Sequence, residues 1–128
     1  MNSDYKGRRR HQPGGFLRSF SFAYEGIKTA IKNERNLQIH FIVSVLVIVF
    51  GIIYSISMTE WVFICMLIGG VISLELLNSA IERVVDLVTD EYHPLAKQAK
   101  DIAAGAVLIY AILSVIVGGI IFIPRIFF

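Results

Sequence analysis

Three long apolar segments dominate the pattern of hydrophobic and polar positions along this chain. Phe41–Met58 carries no formal charge over 18 residues, Trp61–Leu74 carries none over 14, and Ile102–Ile123 carries none over 22. About 20 apolar residues are needed for a helix to cross the hydrocarbon core of a bilayer. The apolar pattern of the second segment continues to Val88. We therefore predict three transmembrane helices, which span approximately residues 37–56, 60–88 and 97–123.

Residues 16–35 follow a different pattern, in which apolar and polar side chains alternate at helical spacing. The apolar positions are Phe16, Phe20, Ala23, Tyr24, Ile27, Ala30 and Ile31, and the other face holds Arg18, Ser21, Glu25, Lys28 and Lys32. A basic amphipathic helix of this kind lies in the interface of a membrane. Covering the transmembrane bundle is an alternative role for the same helix, and the two roles are compatible.

Charge is segregated along the chain in a way that predicts its orientation. Residues 1–36 carry eight Lys and Arg against three carboxylates, a net of +5, whereas the remainder nets −3. Because Lys and Arg concentrate on the cytoplasmic side, we predict that the N-terminus and the connection at 90–100 lie inside. Residues 1–15 are predicted to be a mobile basic tail attracted to anionic lipid rather than to nucleic acid. Residues 16–128 then form a single all-α membrane domain.

The second span carries four polar side chains that a transmembrane helix ordinarily lacks. Glu75, Asn78, Glu82 and Asp86 fall within about 80° of arc on one face of a helix. A charged carboxylate at the centre of a span costs roughly 3 kcal/mol on insertion scales, so such a stripe indicates a functional site. At 1.5 Å per residue, Glu75 lies about 21 Å from Trp61 and Glu82 about 31 Å. We expect Glu75 within the inner leaflet and Glu82 at the cytoplasmic interface.

These depths suit a site that is open to both lipid and water. A carboxylate withdrawn from water, as we expect for Glu75, is a better base than a solvated one. Glu82 and Glu34, which are predicted to lie at the same level, are candidate ligands for a divalent cation. Lys100 is placed to neutralise phosphate oxygens. The alternative is that these acids, and Asp86 above all, form ion pairs with Arg83, Arg35, Lys97 or Lys100 that merely hold the bundle together.

The sequence lacks the common nucleotide-binding and hydrolase motifs of soluble enzymes. It contains neither a Gly-x-x-x-x-Gly-Lys-Ser/Thr loop nor a Gly-x-Gly-x-x-Gly loop, and it has no serine elbow or metal-binding histidine pair. If the chain handles a nucleotide, it must therefore do so with carboxylates, Mg²⁺ and a lysine. The alternative from another class is a cation channel or proton-coupled carrier that uses the acidic stripe as its pathway. A conduction path needs polar groups through both leaflets. The polar positions here cluster toward one side, which favours the enzyme.

Three segments resemble the signature sequences of the bacterial diacylglycerol kinase and undecaprenol kinase family. Glu75-Leu-Leu-Asn78-Ser-Ala-Ile-Glu82-Arg-Val-Val-Asp86 is similar to its acidic block, His93-Pro-Leu-Ala-Lys-Gln-Ala-Lys100-Asp101 to its second block, and Asn33-Glu34 to its first. The resemblance covers residues 16–124. It implies ATP- and Mg²⁺-dependent phosphorylation of a membrane lipid alcohol in a bacterial plasma membrane. It also implies a homotrimer with an N-terminal surface helix and with active sites shared between neighbouring protomers.

The resemblance also implies roles for individual residues. Glu75 matches the catalytic base of the family, and Asn78 belongs to the same polar cluster. Glu34 and Glu82 match its metal carboxylates. The residues that match its nucleotide contacts are Glu34, Glu82, Glu91, Tyr92, His93, Lys100 and Asp101.

Three positions depart from the diacylglycerol kinases of Gram-negative type. His40 stands where those enzymes carry a carboxylate, and Gly15 and Phe22 stand where they carry an arginine and a tyrosine. The second block and the Phe-rich N-terminus look more like the Gram-positive branch, whose lipid is undecaprenol. The resemblance therefore favours undecaprenol as the acceptor, with diacylglycerol as the alternative.

Overall fold

The computed structural model describes residues 15–128, so the predicted basic tail lies outside the described residues except for Gly15. Four helices follow one another: α1 Gly15–Asn33, α2 Arg35–Ile53, α3 Met58–Val88 and α4 Pro94–Phe127. The last three are long and apolar enough to cross a membrane. The predicted all-α architecture, with three membrane-spanning helices after an N-terminal helix, is confirmed. We call the end of the bundle that holds residues 89–93 the loop end, and the end that holds residues 54–57 the turn end.

The helices begin and end where local chemistry dictates. α4 starts at Pro94, three residues before the sequence prediction, because a proline in the first helical turn loses no hydrogen bond. The Nδ1 atom of His93 caps this end by accepting from the backbone N–H of Leu95 at 3.2 Å. At the turn end, the Ser57 hydroxyl accepts from the backbone N–H of Glu60, and the Glu60 carboxylate accepts from that of Ser57. This reciprocal capping box fixes the first turn of α3.

α3 is the central element of the protomer. It packs against both α2 and α4, and α1 packs across α2 and α3 near the loop end. At the turn end, Ile56, Ile64, Ile121 and Phe122 form a buried cluster. The ring of Trp61 lies so close to Gly51 that a Cβ there would be 2.7 Å from it. Because α3 lies against both other spans, Glu75 and Asn78 of the polar stripe are buried within protein, whereas Glu82 is partly exposed and Asp86 is exposed.

Candidate active site on α3

Glu75 is the most buried residue of the polar stripe, with only 3% of its surface exposed. Asn36 and His40 from α2 lie within interaction range of its carboxylate, as do Glu82 and Glu34. Buried ionisable groups need such partners, because an unpaired charge is strongly disfavoured in a low dielectric. The fold therefore gathers polar groups of α2 and α3 around one buried carboxyl group.

Asn78 lies one turn further along α3 and is also buried, with 6% of its surface exposed. Its Nδ2 atom donates to Oε1 of Glu82 at 3.2 Å. Its Oδ1 atom is buried without a hydrogen-bond partner. An unsatisfied buried acceptor costs about 1–3 kcal/mol. Such an oxygen is available to a proton donor or a cation that enters the site.

Glu34 connects the helix junction at the start of α2 to the same region. It occupies the N-cap position of α2, and its Oε1 accepts from Nη2 of Arg83 at 2.9 Å. Both side chains are partly exposed, and ion pairs of that kind contribute less than about 1 kcal/mol. Glu34 is therefore held near α3 by a contact that a stronger ligand can replace.

The carboxylates fit a divalent cation only in combination with a substrate. Within residues 15–128, no group of three or more His, Cys, Asp or Glu side chains is arranged to hold a metal ion. Mg²⁺ is commonly bound by one or two carboxylates, with water and substrate phosphates completing its shell. Glu34 and Glu82 supply two such carboxylates, and the unpartnered Oδ1 of Asn78 lies beside the second. The donor set fits Mg²⁺ delivered with a nucleotide.

A cavity of about 410 Å³ opens at the loop end, between the last turn of α3 and the first turns of α4. The lining includes Asp86, Glu91, Tyr92, His93, Lys97 and Lys100. Nζ of Lys100 donates to Oδ1 of Asp86 at 2.6 Å, and Glu82 lies within electrostatic reach of the same ammonium. The cavity thus places a lysine near the carboxylate proposed as a metal ligand.

The predicted nucleotide contacts do not all meet in this cavity. Glu91, Tyr92, His93 and Lys100 line it, whereas Asp101 does not and instead forms an ion pair with Lys97. Glu34 and Glu82 do not line it either: Glu34 lies against Arg83, and Glu82 lies against Asn78. The ion pair of Asp86 agrees with the alternative that gave this residue a pairing role.

A second cavity, of about 240 Å³, lies between α2, α3 and α4 on the turn side of Glu75. Its lining is apolar except for His40, Ser44 and Ser114. The two serine hydroxyls donate to backbone oxygens of their own helices, Ser44 to His40 and Ser114 to Tyr110. We call this cavity the apolar groove. Its wall suits a hydrocarbon chain, and its His40 end adjoins the surroundings of Glu75.

Sequence reasoning found the stripe and named Arg83 among the possible ion-pair partners of its acids, but it assigned no role to Asn36 beside Glu75. Asn36 precedes His40 by four residues, a spacing that puts both on one helix face, so the pair was recognisable once α2 was predicted. The specific pairing of Arg83 with Glu34 carried no comparable signal, because the two residues are 49 positions apart in the chain. Contacts between distant segments depend on how the helices pack.

Comparison of the sequence with known proteins shows the family to which the chain belongs. Residues 21–122 match the family described as prokaryotic diacylglycerol kinase. The chain is 48% identical over 116 residues to the undecaprenol kinase of Bacillus subtilis strain 168, covering 91% of this chain and 94% of that protein. It is 44% identical over 109 residues to a Synechocystis diacylglycerol kinase, covering 84% of this chain and 62% of that protein. It is 32% identical over 100 residues to the Escherichia coli K12 diacylglycerol kinase, covering 78% and 82%. The match includes every site residue named above, and the chain belongs to the prokaryotic diacylglycerol kinase family of membrane lipid kinases.

Proposed function

We propose that this chain transfers the γ-phosphoryl group of ATP to the hydroxyl group of undecaprenol at the cytoplasmic face of a bacterial plasma membrane. The observation that carries the proposal is the position of Glu75. This buried carboxyl group lies between the apolar groove and the polar, lysine-containing cavity at the loop end. A lipid kinase must bring a hydrocarbon-bound hydroxyl group and a nucleotide together at such a boundary.

On the lipid side, the acceptor hydroxyl reaches Glu75 from the apolar groove. Glu75 takes the hydroxyl proton as the oxygen attacks the γ-phosphorus and the bond from that phosphorus to the departing ADP breaks. A base within hydrogen-bond reach of the attacking oxygen is therefore required. Asn36 of α2 lies within interaction range of the Glu75 carboxylate and serves to orient it. Holding the two reactants in line supplies much of the rate enhancement in phosphoryl transfer.

On the nucleotide side, the phosphates lie toward Lys100, with His93, Tyr92 and Glu91 around the rest of the cavity. The Lys100 ammonium, now paired with Asp86, offsets negative charge on the phosphate oxygens. Preorganised charge of this kind stabilises the charge that develops in the transition state. Asp101 contributes through Lys97 rather than by touching the nucleotide.

Glu34 and Glu82 hold Mg²⁺ in this proposal, with Oδ1 of Asn78 as a further oxygen beside Glu82. When bound, the cation neutralises phosphate charge and orients the transferred group. Glu34 must exchange its Arg83 partner for the cation, which is feasible because that ion pair is partly exposed. Asn78 keeps Glu82 in place by donating to it at 3.2 Å.

Orientation and assembly complete the proposal. The excess of Lys and Arg in residues 1–36 supports a cytoplasmic N-terminus, which puts the loop end and the site at the cytoplasmic interface. The family resemblance supports a homotrimer with sites completed by a neighbouring protomer. Large apolar side chains exposed on α2 and α4, such as Ile52 and Ile109, are compatible with either lipid or a neighbour.

Diacylglycerol is the second candidate acceptor. The Synechocystis and Escherichia coli relatives are named diacylglycerol kinases, whereas the more similar Bacillus relative is named an undecaprenol kinase. The greater identity to the latter supports undecaprenol. The apolar lining of the groove suits either hydrocarbon tail.

The test is transfer of labelled phosphate from ATP in the presence of Mg²⁺, with purified protein in detergent and both lipids offered in parallel. We expect labelled undecaprenyl phosphate from the wild type and loss of labelling in Glu75→Gln. Glu25→Gln, the same chemical change on exposed α1, serves as the matched control and should retain activity. Preferred labelling of diacylglycerol would overturn the assignment of undecaprenol as the acceptor. No transfer to either lipid by folded wild-type protein would overturn the proposal.

A further inference from the structure

The α3–α4 interface holds a contact that the proposed chemistry does not use. Tyr110 of α4 lies across Gly70 of α3 so closely that a Cβ added at Gly70 would be 2.2 Å from the phenol ring. The Tyr110 hydroxyl donates to the backbone oxygen of Met66 at 3.1 Å. Both ends of the contact therefore bear on the α3 backbone, which cannot move aside as a flexible side chain does.

The contact fits one axial position of α4 along α3. The residues about one turn from Gly70 on the same face are Met66, Leu67, Ser73 and Leu74, and all carry side chains. Sliding α4 by a turn, about 5.4 Å, would press the Tyr110 ring onto one of these side chains. Gly69 offers no second position, because nothing lies within 4 Å of its Cβ direction. Close-packed interfaces change between discrete arrangements rather than continuously.

The segment between this contact and the loop end does little to fix the register by itself. Ala103, Ala104, Gly105 and Ala106 carry small side chains or none, and small residues let helices approach without large interlocking knobs. The Lys100–Asp86 ion pair is partly exposed, and such pairs are weak. Lys100 lies ten residues, about 15 Å, from Tyr110 along one continuous helix, so an axial shift at Tyr110 carries Lys100 with it.

We propose that Tyr110, seated on Gly70, is a positioning residue that sets the axial register at which Lys100 faces the nucleotide phosphates beside Glu82. This inference rests on the proposed role of Lys100 in ATP binding. Neither Tyr110 nor Gly70 touches the reacting groups. Their contact acts through the position of α4.

The first test is Gly70→Ala, which adds one methyl group in the space that the Tyr110 ring occupies. We expect kcat/KM for ATP to fall by about tenfold to a hundredfold, the range that a displacement of about 1 Å produces at a reacting site. The KM for the lipid should stay within about twofold, because the apolar groove meets a hydrocarbon tail without directional contacts. Gly69→Ala, the same methyl group one residue away in open space, should leave both parameters unchanged.

A compensating double variant distinguishes a change in the α3–α4 register from general damage to the fold. In Gly70→Leu combined with Tyr110→Ala, the bulk moves from α4 to α3 and the volume of the interface is roughly conserved, which cores tolerate best. The double variant should recover most of the ATP kcat/KM that Gly70→Leu alone loses. Tyr110→Phe keeps the ring and should lose less than Tyr110→Ala. If Gly70→Ala does not fold, Tyr110→Ala, which introduces no clash, takes its place in the comparison with Gly69→Ala.

Fluorescence titration with trinitrophenyl-ATP measures nucleotide affinity without an acceptor lipid. Weaker binding in Gly70→Ala but not in Gly69→Ala is the result expected. Equal binding, an equal rise in the KM for both substrates, or failure of the size exchange to restore ATP binding would overturn the register proposal. Absence of lipid phosphorylation by the wild type would overturn the proposed function and leave this binding comparison intact.

Discussion

Asn78 donates to Oε1 of Glu82 through Nδ2, while its own Oδ1 is buried without a hydrogen-bond partner. The Asn78 amide thus donates from Nδ2 to Glu82, a proposed ligand of the metal ion, and leaves its Oδ1 without a partner beside that ligand. A purely structural asparagine between helices would be expected to satisfy both ends. The unsatisfied oxygen is therefore consistent with a residue held ready for a ligand.

The first prediction concerns this amide. Asn78→Ala removes both the donor that holds Glu82 and the free oxygen beside it, so we expect the Mg²⁺ concentration for half-maximal activity to rise by about tenfold to a hundredfold. The measurement is a Mg²⁺ titration of lipid phosphorylation at saturating ATP. Ser79→Ala, at the adjacent buried position, is the control and should leave the titration unchanged. Equal midpoints for Asn78→Ala and wild type would contradict the role.

The second prediction concerns the ion pair between Glu34 and Arg83, whose two members should act in opposite directions. Arg83→Gln frees the Glu34 carboxylate, so half-maximal activity should need less Mg²⁺, by a few-fold. Glu34→Gln removes a ligand, so it should need more, by at least about tenfold. The same titration measures both changes.

Stability gives the control for this pair. Because the contact is partly exposed, both variants should unfold within about 1 kcal/mol of the wild type. Shifts of the Mg²⁺ midpoint in the same direction for both variants would show that Glu34 acts only through its ion pair.

The helical pattern of the chain was predictable because membrane burial enforces it. A span must satisfy its backbone hydrogen bonds internally and expose apolar side chains, so uncharged segments such as Phe41–Met58 have few alternatives to a helix. The single-face arrangement of Glu75, Asn78 and Glu82 follows from helical geometry alone. Those features depend only on residues that are close together in the chain, so they could be predicted from the sequence.

The rest of the site depends on how helices meet. Nothing local to Glu34 indicates Arg83 as its partner, and nothing local to Asp101 indicates that it pairs with Lys97 outside the loop-end cavity. The contact of Tyr110 with Gly70 requires a register between α3 and α4 that no single helix specifies. Relationships of this kind follow from packing between segments, which hydrophobic periodicity does not encode.

The third prediction concerns the turn between α2 and α3. Ser55 has a φ of 48°, in the left-handed region that favours glycine. Ser55→Gly removes that strain and should raise the free energy of unfolding by roughly 0.5–1 kcal/mol. Ser57→Ala removes the N-cap of α3 and should lower it by about 1 kcal/mol. Thermal unfolding in detergent measures both, and kinase activity at moderate temperature should not change because the turn lies at the opposite end from the site.

The fourth prediction compares two neighbours at the start of α4. Lys100 lines the loop-end cavity, whereas the adjacent Asp101 pairs with Lys97 and does not line it. Lys100→Gln should therefore raise the KM for ATP by about tenfold or more, since a charge-assisted contact to phosphate is lost. Asp101→Asn should raise it much less, and Lys97→Gln should have an effect similar to that of Asp101→Asn. Steady-state kinetics with varied ATP at saturating lipid and Mg²⁺ measures all three. An Asp101→Asn variant as impaired as Lys100→Gln would show that this carboxylate leaves Lys97 and reaches the nucleotide itself.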